Sequence, residues 1–363
     1  MKTESLGGFD RFRVPAALLV IAIHTGPLLS LNGEANYLLT DILARIAVPF
    51  FFSVSGWFLV PRLLREGRAA LIPFVKKLLL LYGAAVLLYL PLNLYNHTLE
   101  ESGFALLRDV LFNGTFYHLW YFPALVLGAC LVYGLLRILG PRWAWLPALL
   151  LYAAGLLGDS YFGLTAALPP LRAGYEALFL LFDYTRNGLF FPPVFLLLGG
   201  WLALRPARRS AAWYGAGLLL SLALLTAEGL LVQRLALARF DALYLSLPLC
   251  VGFLLRWLQR LSLPSAPALR DWAAAVYVLH PWCIVLIRGG AGVVASPACW
   301  WTTVLYTIWP WSCSPPFWPS PSPASAPPPP PGAGPGSSWT PPPCGTIWPP
   351  WAPFCRRGPA LCR

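Results

Sequence analysis

Residues 12–26 read FRVPAALLVIAIHTG, an apolar run with Arg13 at one end and His24 at the other. A segment this apolar reads as a membrane helix, where ionisable groups are costly and therefore functional by default. Eleven residues at about 100° each make about 1100°, within about 20° of a whole number of turns. Both side chains thus share one helix face, about 16 Å apart along the axis. The cation sits at the membrane edge and the imidazole near mid-bilayer.

The rest of the chain agrees with that reading. Of 363 residues, 58% are hydrophobic and only 11% charged, too few charges to cover a soluble protein of this size. Apolar runs fall near 14–31, 41–60, 74–92, 119–138, 142–158, 187–204, 210–227, 240–258 and 271–289. The expected fold class is an all-α polytopic membrane protein with about nine transmembrane helices. The first run has no small-residue cleavage site and is expected to be retained. Net charge is +12, but the arginines are dispersed in short clusters between runs, which argues for the positive-inside rule and against nucleic acid. Basic and acidic loops alternate, placing the N-terminus in the cytoplasm of a multi-pass, bacterial-type plasma membrane protein whose first partner is the lipid bilayer. Trp120, Tyr121, Trp201, Trp213 and Trp282 read as interfacial aromatics, and residues 172–186 as a segment lying along the outer interface. Cys130, Cys250 and Cys283 read as small core residues, and Glu228 as an interfacial loop acid. No metal cluster, nucleotide-binding loop or serine-hydrolase motif competes with these readings.

From about residue 299 the composition changes: Asp, Glu and Lys vanish, and Pro, Trp, Ser and Cys dominate. A proline-rich disordered tail is one reading; a shifted reading frame is the other. If each true codon takes the last base of one codon and the first two of the next, WWTTVLYTIWPW can become VDNSLVHYLAV, the start of a tenth apolar helix. GAGPGSSWTPPPCGTIWPPW can likewise become RAWIELDPPALRHNMAAL. The expected organisation is a membrane domain over 1–298 and an out-of-frame tail over 299–363, with ten helices in the intact form.

Several segments together resemble the acyltransferase-3 family of polytopic membrane proteins. They are DRFRVPAALLVIAIH with Asp10, Arg13 and His24, RIAVPFFFSVSGWFL at 45–59, HLWYFPALVLG at 118–128, TRNGLFFPPVFLLLGG at 185–200 and YVLHPWCIVLIRG at 277–289. Within the family, the TRNGLFF and YVLHPW segments look most like the membrane half of membrane-bound serine/alanine racemases of glycopeptide-resistance clusters. The frame-corrected RAWIELD resembles the opening of an alanine-racemase barrel, which holds pyridoxal phosphate. In the frame given there is no barrel and no cofactor lysine, so racemisation and a bound cofactor are not expected.

The residues can then be weighed. His24 is either a hydrogen-bonded interhelical histidine or the base that takes a proton from an acceptor hydroxyl; the resemblance implies the second. Arg13 is a positive-inside anchor or a fork for the phosphates of coenzyme A or an amino-acid carboxylate, and Asp10 would orient it through an i,i+3 pair. Arg45, on the minority side for arginine, is a substrate-binding candidate, whereas Ser53, Ser55 and Gly56 read as helix packing. His118, Arg186, Asn187, His280 and Arg288 complete the substrate-binding candidates. Pro281 frees a backbone carbonyl beside His280 and bends its helix.

Three functions remain open at this point. One is transfer of an acyl group from a cytoplasmic donor such as acyl-CoA to a small-molecule or glycan hydroxyl. Another is binding or transport of L-serine for a fused racemase. The third is a truncated product whose tail prevents folding.

Overall fold

The computed structural model describes residues 6–96 and 102–294, with side chains described as far as Arg288. The tail from 299 and the tenth run lie outside the described residues. All regular structure among the described residues is helical.

Helix α1 spans Gly7–Thr25 and ends at Gly26, whose positive φ of 57° lets its N–H close on Ala22 O. A short helix, α2 (Gly33–Tyr37), starts under Asn32, whose side chain accepts from Ala35 N at 2.9 Å. It passes through a π-turn at Leu38–Ile42 and a 3₁₀ turn at Leu43–Ile46 into α3 (Ala47–Glu66). This change of helical pitch re-aims Asp41 and Arg45 relative to a regular helix, and such interruptions recur at functional sites. Helix α4 is Arg68–Tyr95, α5 is Gly103–Arg108 and α6 is Tyr121–Trp143. Then follow α7 (Trp145–Leu157), α8 (Phe162–Ala166), α9 (Pro169–Leu181) and α10 (Pro192–Ala203). The series closes with α11 (Ala211–Arg234), α12 (Leu247–Arg260) and α13 (Pro267–Val294).

Every apolar run of the sequence overlaps one of these helices, yet only four helical stretches among the described residues are long and apolar enough to cross a bilayer. They are Gly33–Glu66, Arg68–Tyr95, Tyr121–Trp143 and Ala211–Arg234. For three of the remaining runs the reason is length. Helices α7, α10 and α12 have 13, 12 and 14 residues, about 20 Å each against a hydrocarbon thickness of about 30 Å. Before α10 and α12 the apolar runs are not helical; they thread through the protein as irregular backbone over 182–191 and 235–246. Such backbone is tolerated at depth only where protein satisfies its polar groups. Here it does: Asp159 Oδ1 accepts from Ala242 N (2.8 Å) and Leu243 N (3.0 Å), and Tyr152 donates to Tyr244 O at 2.6 Å.

Helices α3 and α10 approach most closely. A Cβ added to Gly199 would lie 1.7 Å from Ser53 O, and one on Gly56 2.1 Å from Leu196 O. Only glycine allows this, and the packing role read for Gly56 is what the structure contains. Other expectations need correction. Glu228 is not a loop acid: it lies in α11 and caps α12, accepting from Ser246 N (2.8 Å), Ser246 Oγ (2.5 Å) and Tyr161 OH (2.6 Å). Cys250 is buried, but Cys130 and Cys283 face outward, because each falls on the outer side of its helix. Trp120 and Tyr121 turn inward, whereas Trp201 and Trp213 are exposed beneath the guanidinium groups of Arg205 (4.9 Å) and Arg209 (5.8 Å). Helix α9 carries no buried side chain.

Candidate functional site

The two ends of α1 lead to different places. At its start, Arg13 is paired with Asp10, and both are buried. Asp10 also accepts from Ser265 Oγ and Ala266 N, each at 3.1 Å, just before the first turn of α13. This end of α1 is an electrostatically closed joint between α1 and α13. Buried Arg13, Ala17 and Val20 mark the inward face, on which His24 follows at the far end.

His24 opens onto a small cavity. Arg45 and Val48 from the 3₁₀ turn and α3, His118, Trp120 and Tyr121 around the start of α6, Arg186 and Phe191 before α10, Ala242, and Tyr277 from α13 complete its wall. Three of the chain's four histidines gather here. The His24 and His280 rings stack at 5.4 Å, and His118 meets His280 edge to face at 5.3 Å. Tyr117 packs on His24 at 4.7 Å, and Arg288 stands within electrostatic reach of Tyr117. Among the described residues, no group of three or more His, Cys, Asp or Glu side chains is placed to hold a metal ion.

A smaller polar chamber adjoins this cavity through Arg45, Arg186 and Ala242, and adds Asp41, Tyr184, Phe240 and Asp241. Arg45 pairs with Asp41. Arg186 lies 4.3 Å from the Tyr184 ring and 5.6 Å from Trp120, a cation–π sandwich. Asp241 accepts from Tyr37 at 3.2 Å and Tyr244 at 3.4 Å. Behind the chamber, Asp159 sits fully buried in the turn between α7 and α8, outside any helix. Burial lifts its carboxyl to about 7, against the lowering pull of the Ala242 and Leu243 amides.

Polar atoms without a hydrogen bond concentrate in this region: both ring nitrogens of His118, Nε2 of His280, Nε of Arg45 and Arg186, Oδ2 of Asp159, and Nε and Nη2 of Arg288. Buried polar atoms are normally paired, so at this cluster of orphans beside a cavity water or a bound group would supply the missing partners.

Of the residues singled out in the sequence, the structure brings together His24, Arg45, His118 and Arg186, with His280 directly behind them. It keeps Arg13 and Asp10 apart from them. Asn187 is buried in a local turn, donating to Tyr184 O at 2.8 Å and accepting from Leu189 N at 3.0 Å, so it shapes the loop that carries Arg186. Asp41 stands four residues before Arg45, a local helical spacing the sequence reading passed over. The acids Asp159 and Asp241 were not legible as partners, because no local spacing links them to Arg45 or Arg186.

The family described as an acyltransferase domain, acyltransferase 3, matches residues 6–318. The chain belongs to this family. Among similar proteins, an amino-acid racemase of Enterococcus faecalis is 45% identical over 209 residues, 57% of this chain and 29% of that protein. Another from the same organism is 38% identical over 293 residues, 77% of this chain and 41% of its own length. A serine/alanine racemase of Enterococcus gallinarum is 39% identical over 291 residues, 76% and 40% of the two chains. The chain therefore spans less than half the length of these relatives. No solved structure matches it.

Proposed function

We propose that this acyltransferase-3 protein moves an acyl group from a cytoplasmic thioester donor, acyl-CoA, to a hydroxyl acceptor. The cavity that joins His24 to Arg45 and Arg186 carries the reading. The hydroxyl oxygen attacks the thioester carbonyl while His24 takes its proton. Arg45 and Arg186 face the oxyanion that develops, in a setting where fixed donors act strongly. The carbon–sulfur bond then breaks, and the leaving sulfur takes the proton back from His24. Arg13, lower on the same face of α1, is held by Asp10 in the joint with α13 and so fixes how α1 presents His24 to the cavity. In this reading the N-terminus is cytoplasmic, and the helices too short to span cross together with their buried irregular segments.

A second reading draws on the relatives' names and on the polar chamber. Arg45 and Arg186 beside Asp41 and Asp241 offer both signs of charge, as the carboxylate and ammonium of an amino acid such as L-serine require. The module would then bind or transport that amino acid. Pyridoxal phosphate finds no lysine in this site: Lys76 and Lys77 are both exposed on α4.

The deciding experiment compares acyl-CoA turnover with radiolabelled serine uptake in membranes containing the protein, each with His24→Ala. Thioester turnover that is lost on substitution supports acyl transfer. Absent turnover, with serine uptake that depends on His24, overturns it in favour of the second reading.

A further inference from the structure

The His280–Pro281 pair fixes a proton. Proline has no N–H, so the carbonyl of Tyr277, four residues before Pro281, loses its helical donor. His280 takes it over: its Nδ1 lies 2.9 Å from Tyr277 O and 3.1 Å from Val276 O. Carbonyl oxygens only accept, so Nδ1 carries the hydrogen and Nε2 carries the lone pair. That Nε2 is buried and makes no hydrogen bond. The ring it meets edge to face, His118 at 5.3 Å, is 1% exposed and has both nitrogens unpartnered. His118 lines the cavity; His280 stands behind it.

We propose that His280 is a positioning residue that fixes the tautomer of His118 and makes it a second proton acceptor in the cavity. A small rotation lets one His118 N–H donate to His280 Nε2, satisfying an orphan on each ring. The other His118 nitrogen then keeps its lone pair for the cavity. The chain of command runs from a proline-freed carbonyl through His280 to His118, the logic of a base held by an orienting partner. It rests on the acyl-transfer reading for its chemistry, where His118 accepts a hydrogen bond from the acceptor hydroxyl beside His24, but not for its tautomers.

The test is ¹⁵N solid-state NMR of histidine-labelled protein in lipid bilayers, the signals assigned by single His→Gln variants of the four histidines. The expected spectrum has His280 neutral and protonated at Nδ1, and His118 with one protonated nitrogen hydrogen-bonded to His280 Nε2. Protonation of His280 at Nε2 overturns the proposal, whatever the substrate. Two variants then separate the ring atoms. His280→Asn keeps a donor near Tyr277 O but removes the acceptor; thioester turnover falls roughly 10²-fold. His280→Gln keeps an acceptor near the Nε2 position and retains most turnover. Equal losses in the two variants, or wild-type turnover in His280→Asn, reject the role. If the unsubstituted protein turns over no thioester, the acyl-transfer reading fails by itself, and the NMR spectrum still decides the tautomers.

Discussion

The two ends of α1 carry the same kind of burden, an ionisable side chain turned into a membrane bundle, and they bear it differently. At the Arg13 end the buried charges are paired: Asp10 answers the guanidinium and closes the α13 junction through Ser265 and Ala266. At the His24 end the neighbours are orphans, with unpaired nitrogens on His118, His280, Arg45 and Arg186 around open space. A satisfied network specifies geometry, whereas an unsatisfied one leaves room for a ligand's own groups. In the acyl-transfer reading proposed above, the first end serves stability and the second serves chemistry.

That division can be broken by experiment. The largest effect is expected for His24→Ala, which should lower thioester turnover by roughly 10²–10⁴-fold while the unfolding midpoint in detergent stays unchanged; a large loss of stability would erase the contrast. Arg45→Gln and Arg186→Gln come next, each lowering kcat by about 10²-fold as a lost oxyanion donor does, read from steady-state turnover at saturating donor. Arg45→Gln should also release Asp41, so its stability falls further than that of Arg186→Gln. At the other end, Asp10→Ala should behave in reverse. It strands a buried guanidinium and costs about 3–5 kcal/mol of stability, measured by chemical unfolding, with a smaller loss in turnover per folded molecule.

The smallest effect concerns Asp159. Its folded carboxyl titrates near 7, above the ordinary value of 3.8. The folded state therefore holds this proton more tightly than the unfolded chain. The corresponding stability is complete below about 3.8 and is lost as pH rises through about 7. Asp159→Asn should flatten that part of the pH–stability curve, and an unchanged curve would place the proton elsewhere.

Much of this architecture was legible in the chain. The apolar runs located the helices because burying or solvating polar backbone in an apolar medium leaves few alternatives. The eleven-residue spacing put Arg13 and His24 on one face. The glycine and serine pattern around Gly56 announced close helix packing, which Gly199 completes from α10. The site was legible in part: His24, His118, Arg186 and His280 were marked by the cost of placing such groups among apolar residues. What the runs concealed was their interruption. A stretch such as 240–258 is equally apolar whether it forms one long helix or an irregular strand of backbone followed by α12.

The sequence by itself determined the helical class, the inward face of α1 and the effect of Pro281 on the carbonyl four residues before it, since all three follow from local periodicity and covalent geometry. The tertiary structure alone decided that Arg13 and His24 belong to different environments. It also brought Asp159 and Asp241 to two arginines, and set His280 against both His24 and His118. Those relations depend on where distant helices cross, and crossing is set by the summed packing of many side chains, which no spacing along the chain encodes.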